Sequence, residues 1–374
     1  MLHIKKCLVS QNFHNKIILC TFADKIILKM IRFECDYAEG AHPYILERLA
    51  RTNLEQTKGY GEDEYCENAR RTIRRLCQAE LADVHFLVGG TQTNTTVIAS
   101  VLRPHQGVIS AATGHINVHE TGAIEATGHK ILALPTADSK LTADQVEQVY
   151  LEHWRDANHE HIVQPGMVYL SNPTEGGVIY TKRELQAISD VCRKYKLPLF
   201  LDGARLGYGL TAENNDLALP DITQMCDVFY IGGTKVGALF GEALVIMNDS
   251  IKKDFRYFIK QRGGMLAKGR LLGIQFETLF ADGLYFDIAR NAVRMAMLIR
   301  DAFRASGFRF LCESPTNQQF PILTHEQIKR LAQKYAFELW TTIDDRHIAV
   351  RFCTSWATRA EDVHALIKDI ENLN

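Results

Sequence analysis

Two residues that could do chemistry each stand just past a short apolar run. Leu199-Phe200-Leu201 leads into Asp202, and Val228-Phe229-Tyr230-Ile231 leads into Gly232-Gly233-Thr234-Lys235. Earlier, Val84-His85-Phe86-Leu87-Val88 runs into Gly89-Gly90-Thr91-Gln92-Thr93-Asn94, so that a strand, a glycine turn and a helix start follow one another. An amine that can form an imine, a carboxylate that keeps a pyridine nitrogen protonated, and backbone N–H groups that can hold a phosphate meet the needs of one cofactor, pyridoxal 5′-phosphate. Lys235, Asp202 and the Gly90/Thr91 turn would supply the three in turn. Taken singly, the lysine reads as a solvated loop residue and the aspartate as a helix cap. Only their combination points to this chemistry.

Such residues act together only if one scaffold gathers them. From about residue 84 the sequence alternates short β-branched runs with amphipathic helices, the signature of a mainly parallel sheet covered on both faces. Val168-Tyr169-Leu170-Ser171-Asn172 is a further strand, and Thr181 with Glu184 is a capping box opening a helix whose face carries Leu185, Ile188, Cys192 and Tyr195. Pro198 is expected to end that helix. In open α/β sheets ligands collect outside the carboxyl ends of the strands, so the loops near 90, 202 and 235 are expected at one rim. Past about residue 250 the chain turns to charged helices. Capping boxes are expected at Thr324/Gln327 and Thr358/Glu361, the second before Val363, Leu366, Ile367 and Ile370, with a strand over His347–Phe352. The expected division is an N-terminal extension at 1–29, a large α/β cofactor domain at 30–250, and a smaller α+β domain at 251–374.

Composition makes a small-molecule or protein partner the default. The 374 residues are 46% hydrophobic, and 43 Lys+Arg stand against 44 Asp+Glu for a net charge of −1. That balance argues against disorder and against a polyanion or a membrane surface as partner. The nine cysteines are odd in number, scattered and without a CxxC pair, which favours free thiols in a reducing cytosol. Lys5 and Lys6 precede an apolar patch, but no small-residue cleavage pattern follows. Residues 1–29 therefore read as an extra tail or an upstream start ahead of Met30.

Leu201-Asp202-Gly203-Ala204-Arg205-Leu206 followed by Gly-Gly-Thr-Lys at 232–235 resembles the aromatic amino acid β-eliminating lyase/threonine aldolase group of fold-type I pyridoxal-phosphate enzymes. Gly59-Tyr60-Gly61-Glu62-Asp63, the turn at 89–94, Gly114-His115-Ile116 and Gly263-Gly264-Met265 keep the group's order over roughly residues 33 to 355. The resemblance implies a fold-type I transferase-like large domain. It also implies Lys235 as the imine lysine, Asp202 as partner of the pyridine nitrogen, and Gly90 and Thr91 as the phosphate cup. His115 would stack on the ring and help move a proton. Arg205 would lie by the cofactor oxygen and the substrate carboxylate, and Arg351 would clamp that carboxylate. His161 would be a second active-site histidine. No metal is expected. The implied reaction is Cα–Cβ cleavage of a β-hydroxy-α-amino acid, threonine or allo-threonine giving glycine and acetaldehyde. The implied assembly is a homo-oligomer, a dimer or a dimer of dimers such as a homotetramer, in which Lys260 and Arg262 reach a neighbour's cofactor phosphate.

The pattern also departs from the group. Its early Ser-Asp-Thr stretch is matched here to Ala38-Glu39-Gly40, which lacks the serine hydroxyl, and Gly-Thr-Lys-Val and Ser171-Asn172-Pro173-Thr174 replace the group's usual residues. Three other readings stand beside the aldolase. They are a β-eliminating lyase or aminotransferase on the same fold, a non-catalytic binding protein, and a metal hydrolase with the imidazoles of His115 and His119, followed by Glu120, on one ion, for which a third ligand is not evident.

Overall fold

A computed structural model describes residues 30–373, so the extension at 1–29 lies outside the described residues. Seven strands form one sheet: β1 (Asp83–Leu87), β2 (Gln106–Ala111), β3 (Ile131–Leu134), β4 (Gln164–Ser171), β5 (Leu199–Asp202), β6 (Val228–Gly232) and β7 (Glu242–Ile246). Their order is β1-β7-β6-β5-β4-β2-β3, and β7 alone runs antiparallel to its neighbours. The chain is thus the α/β class expected, with a mainly parallel sheet.

Side-chain alternation sorts the sheet into two cores. Leu199, Leu201, Phe229, Ile231, Ala243 and Val245 face one side, together with the helices α1 (Glu64–Cys77), α3 (Lys182–Tyr195) and α4 (Arg270–Phe280) and the first half of α5 (Leu284–Ala305). Phe200, Val228, Tyr230, Leu244 and Tyr169 face the other, against Val97 and Ile98 of α2 (Gly90–Val101). Asp202 shares the parity of Phe200, so its side chain turns toward α2. That single fact of period two places the carboxylate beside the glycine turn.

A third core gathers Phe33, Ile299, Phe303, Val350, Phe352, Val363, Leu366 and Ile370. Here β8 (Ile322–Thr324), β9 (Glu338–Thr342) and β10 (His347–Cys353) form an antiparallel sheet in the order β8-β10-β9, covered by α6 (Ala360–Glu371). Leu272, Phe276, Leu279 and Met297 belong instead to the core of the large sheet.

The capping boxes at Thr181/Glu184 and Thr324/Gln327 are present. The one expected at Thr358/Glu361 is not: α6 starts at Ala360 behind Arg359, and the Thr358 hydroxyl accepts from the Ser355 N–H at 2.8 Å. α3 stops at Tyr195 before reaching Pro198, because Lys196 at φ 55° takes the left-handed conformation that closes the helix.

Candidate active site

The three loops expected at one rim do line a single cleft of about 850 Å³, with Gly90, Thr91, His115, Asp202, Arg205, Lys235 and Arg351 on its walls. Asp202 ends β5 and is 4% exposed. Its Oδ1 accepts from the Tyr230 hydroxyl and from the Ala204 N–H at 3.0 Å, while Oδ2 accepts from the Tyr169 hydroxyl at 2.6 Å and the Asn94 amide at 3.2 Å. Both tyrosines come from neighbouring strands on the face that Asp202 shares. Burial, then the Asp202 charge, pushes both phenols well up, so they act as donors at any working pH. The carboxylate is therefore held on both oxygens.

Lys235 follows β6 in the Gly-Gly-Thr-Lys turn, where Tyr208 donates its hydroxyl to the Lys235 carbonyl at 2.5 Å and pins the backbone. Burial, then the Arg205 guanidinium, lowers the Lys235 ammonium from its ordinary value, against the pull of Asp36 and Asp202. A lysine so placed more readily offers the neutral amine that attacks a carbonyl. Glu242 opens β7 beside it, accepts from the Gly233 N–H at 3.1 Å, and is pushed by burial up to about 8.

α2 begins at Gly90 with no side chain capping its first turn, so that turn's N–H groups are left for a ligand. A Cβ at Gly90 would stand 3.1 Å from the Tyr230 hydroxyl, so glycine lets the turn close on the cleft. An uncapped twelve-residue helix whose first turn opens onto the cleft, a buried carboxylate and an amine in the same cleft fit pyridoxal phosphate in donor type at each end.

His115 opens a short helix after β2. Its N–H donates to Glu175 at 2.9 Å and its Nδ1 lies 2.7 Å from the buried Glu120 carboxylate. With Nδ1 donating there, Nε2 is left as an acceptor. His119 leans on it at 5.5 Å between centroids, and among the described residues no group of three or more His, Cys, Asp or Glu could hold a metal ion.

The arginines are set by long-range partners. Arg205 forms a two-point fork with Asp36, Nε at 2.7 Å and Nη2 at 3.0 Å, and Asn317 donates to the same carboxylate at 2.9 Å. Burial would raise Asp36, but Arg205, Lys235 and these hydrogen bonds outweigh it and hold the carboxyl at about 2. Arg351 sits on β10 opposite Glu338 in register, pairs with that carboxylate, donates to Gln318 and to the Glu34 carbonyl at 3.0 Å each, and lies 5.0 Å over the Trp340 ring.

Residues 36–369 match the family described as β-eliminating lyase. The chain belongs to that family. It is 29% identical over 342 residues to the low specificity L-threonine aldolase of Pseudomonas aeruginosa, covering 91% of this chain and 96% of that protein. It is 45% identical to the threonine aldolase of Leishmania major, whose structure overlays with a TM-score of 0.89 over 92% of this chain and 99% of that one. An aspartate aminotransferase from Thermus thermophilus at 13% identity and a TM-score of 0.69 shares the fold. Family and fold class are those of pyridoxal-phosphate-dependent lyases and their fold-type I neighbours, which gives this chain its cofactor.

Two places that the family's pattern pointed to lie away from the cleft. His161 is exposed, in a one-turn segment ahead of β4, whereas the cleft lies at the far end of that strand. β4 has eight residues, so at ~3.3 Å per residue its ends are roughly 25 Å apart. Ala38 and Glu39 line a separate surface hollow, while Cys35 and Tyr37 line the cleft and Asp36 grips Arg205. The acidic stretch at the site is thus Cys35-Asp36-Tyr37, with a thiol where a hydroxyl was sought.

Sequence reasoning missed Asn94, Tyr169, Glu175, Tyr230 and Glu242, and treated Glu120 only as a possible companion of a metal. Tyr169 and Tyr230 were legible in principle, because Tyr169 pairs with Phe200, two residues before Asp202, and Tyr230 follows Phe229, which pairs with Leu201, both on strands already recognised. Lys260 stands with its ammonium 4.9 Å over the Tyr60 ring, and the Arg262 carbonyl accepts from Gln92 at 3.0 Å.

Proposed function

We propose that this lyase cleaves the Cα–Cβ bond of a β-hydroxy-α-amino acid, L-threonine or L-allo-threonine, releasing glycine and acetaldehyde. What carries the reading is the meeting in one cleft of Lys235, the four-donor Asp202 and the uncapped Gly90 helix start. The likeness to proteins named as threonine aldolases supports this substrate class.

Bound pyridoxal 5′-phosphate supplies the electron sink that accepts the pair of the breaking bond. Asp202 holds the ring nitrogen, with both its oxygens fixed by hydroxyl and amide donors so that no reorganisation is needed as charge develops. The first-turn N–H groups of Gly90 and Thr91 hold the phosphate. Lys235 would hold the cofactor's aldehyde carbon through its neutral amine. His115 would lie against the ring, and its Nε2 would take the β-hydroxyl proton while Glu120 steadies the imidazolium through Nδ1. Arg205 keeps Nη1 outside its fork with Asp36. Arg351 receives the substrate carboxylate by exchanging it for the half-exposed Glu338.

The reading extends to a cytosolic homo-oligomer with Lys260 and Arg262 near a neighbour's phosphate. Leu54, 92% exposed, and Tyr257, 72% exposed, are apolar surface that such an assembly would cover, and the described cysteines are free. No helix among the described residues is long and apolar enough to cross a membrane.

The test is a product assay over threonine, allo-threonine, serine, cysteine and an amino donor with a keto acid. Glycine and acetaldehyde from the first two, together with visible cofactor absorbance lost in Lys235→Ala, are expected. Pyruvate and ammonia in their place would make the enzyme an eliminating lyase, and a protein that takes up no cofactor would end the reading.

A further inference from the structure

One amide joins the two carboxylates that serve opposite ends of the cleft. Asn94 Nδ2 donates to Glu120 Oε1 at 2.7 Å and to Asp202 Oδ2 at 3.2 Å, and Glu120 Oε1 also meets His115 Nδ1 at 2.7 Å. A second route runs from the His115 N–H to Glu175 at 2.9 Å, from Ser171 to Glu175 at 2.8 Å, and across 3.3 Å to the Tyr169 hydroxyl that serves Asp202. That route starts from the main-chain amide of His115 and not from its ring, so a proton gained at Nε2 has no direct link into it. The continuous path from the imidazole to the pyridine-nitrogen carboxylate therefore passes through Glu120 and Asn94. All of its links except the His115 ring are buried, and Glu120 Oε2 and Asn94 Oδ1 are buried without a partner, so neither residue has another bond to fall back on.

We infer that Glu120 and Asn94 are positioning residues that couple the proton state of His115 to Asp202, at the other end of the bound cofactor. The inference rests on the proposed roles of His115 and Asp202. When Nε2 of His115 takes up a proton, the Nδ1–H bond to Glu120 strengthens and occupies Oε1 more fully. The Asn94 amide loses hold there and leans on Asp202, whose bond at 3.2 Å is the longer one and has room to shorten. The carboxylate that holds the ring nitrogen is thereby stabilised at the moment the base is charged. The other titratable or charged groups around His115 are His119 on its own segment, Glu175 from the loop after β4, and Arg205, Glu338 and Arg351 beyond His119.

The experiment uses the full chain loaded with pyridoxal 5′-phosphate and follows two pH titrations, the acid limb of kcat/KM and the visible absorbance of the bound cofactor. Glu120→Gln keeps the shape and the acceptor oxygen but removes the charge, so the acid limb moves down by about one pH unit or more, and the absorbance titration shifts with it. In an Asn94→Leu background, which has nearly the same size and no donor, the same Glu120→Gln change still moves the limb but leaves the absorbance titration where it was. If Asn94→Leu holds no cofactor, Asn94→Ser takes its place, since one hydroxyl proton cannot bond both carboxylates at once. An absorbance shift of equal size in both backgrounds, or none in either, overturns the coupling. Absence of cofactor absorbance in the unsubstituted protein, or its persistence in Lys235→Ala, would overturn the reading of the site instead.

Discussion

Replacing Asp36 by asparagine breaks the fork that holds Arg205, and its cost has a pH signature. The Asp36 carboxyl falls from 3.8 to about 2 on folding, because Arg205, Lys235 and two hydrogen-bond donors outweigh the burial that alone would raise it. A carboxyl depressed in the folded state contributes stability that is fully present above its unfolded pKa and is lost as pH falls through the folded one. At about 1.4 kcal/mol per unit, this drop corresponds to about 2.5 kcal/mol, of which about 1 kcal/mol is already gone at pH 3. No discount for solvent applies, since Asp36 is 1% exposed and Arg205 lies against it. The substitution also leaves a buried guanidinium without its counter-charge, a loss on the order of 3–5 kcal/mol. Urea unfolding from pH 6 down to pH 3 measures both effects. Asp36→Asn is expected to be weaker by the larger figure at pH 6, and the gap is expected to narrow by about 1 kcal/mol at pH 3. Parallel pH curves for the two proteins would refute the idea that this carboxyl is ionised and paired in the fold. Equal stability at pH 6 would refute the burial argument itself.

Two further outcomes follow from the placement of other residues. His161→Ala is expected to leave kcat/KM within about twofold and stability within about 0.5 kcal/mol, because His161 lies at the wrong end of β4; a large fall in activity would mean that the loop ahead of the strand reaches the cleft. A methyl at Gly203 would sit 1.9 Å from the Tyr230 carbonyl and 3.1 Å from Leu206 Cβ, so Gly203→Ala is expected to cost about 1–3 kcal/mol or more and to weaken cofactor absorbance by displacing the adjacent Asp202. Unchanged melting and absorbance would show that β5 and β6 can part without harm.

What could be read from the sequence was what lies close along the chain. Short apolar runs ending in Asp202 and in Gly-Gly-Thr-Lys were visible as strands with functional ends, and the sheet puts both at one rim. What could not be read was pairing across distance. Asp36 meets Arg205 from 169 residues away and Asn317 from 281, and no local period announces either contact. His161 came from the family's spacing ahead of the Leu170-Ser171-Asn172 strand end, and spacing along the chain does not say that a strand's full length lies between that histidine and the cleft. The acidic stretch was displaced to Ala38-Glu39-Gly40 because matching by residue type alone cannot tell which carboxylate is buried. Only the fork with Arg205 distinguishes Asp36.

The cleft's polar residues also explain why the fold tolerates so many buried carboxylates. Asp36, Glu120, Glu175, Asp202 and Glu242 are each less than a tenth exposed, a placement that is unfavourable unless every charge has donors or is given up. Two solutions are present side by side. Asp36 and Asp202 keep their donors, a guanidinium fork for one and two hydroxyls with two N–H groups for the other. Glu175 and Glu242 also accept hydrogen bonds, but burial outweighs them and raises both. Asp36, which grips the Arg205 guanidinium, is thus held down by its donors, while Glu175 and Glu242 are pushed toward the neutral form. The Asp202 charge adds to that rise at both Glu175 and Glu242, so the acidity of the cleft is a property of the whole cluster and not of one carboxylate alone.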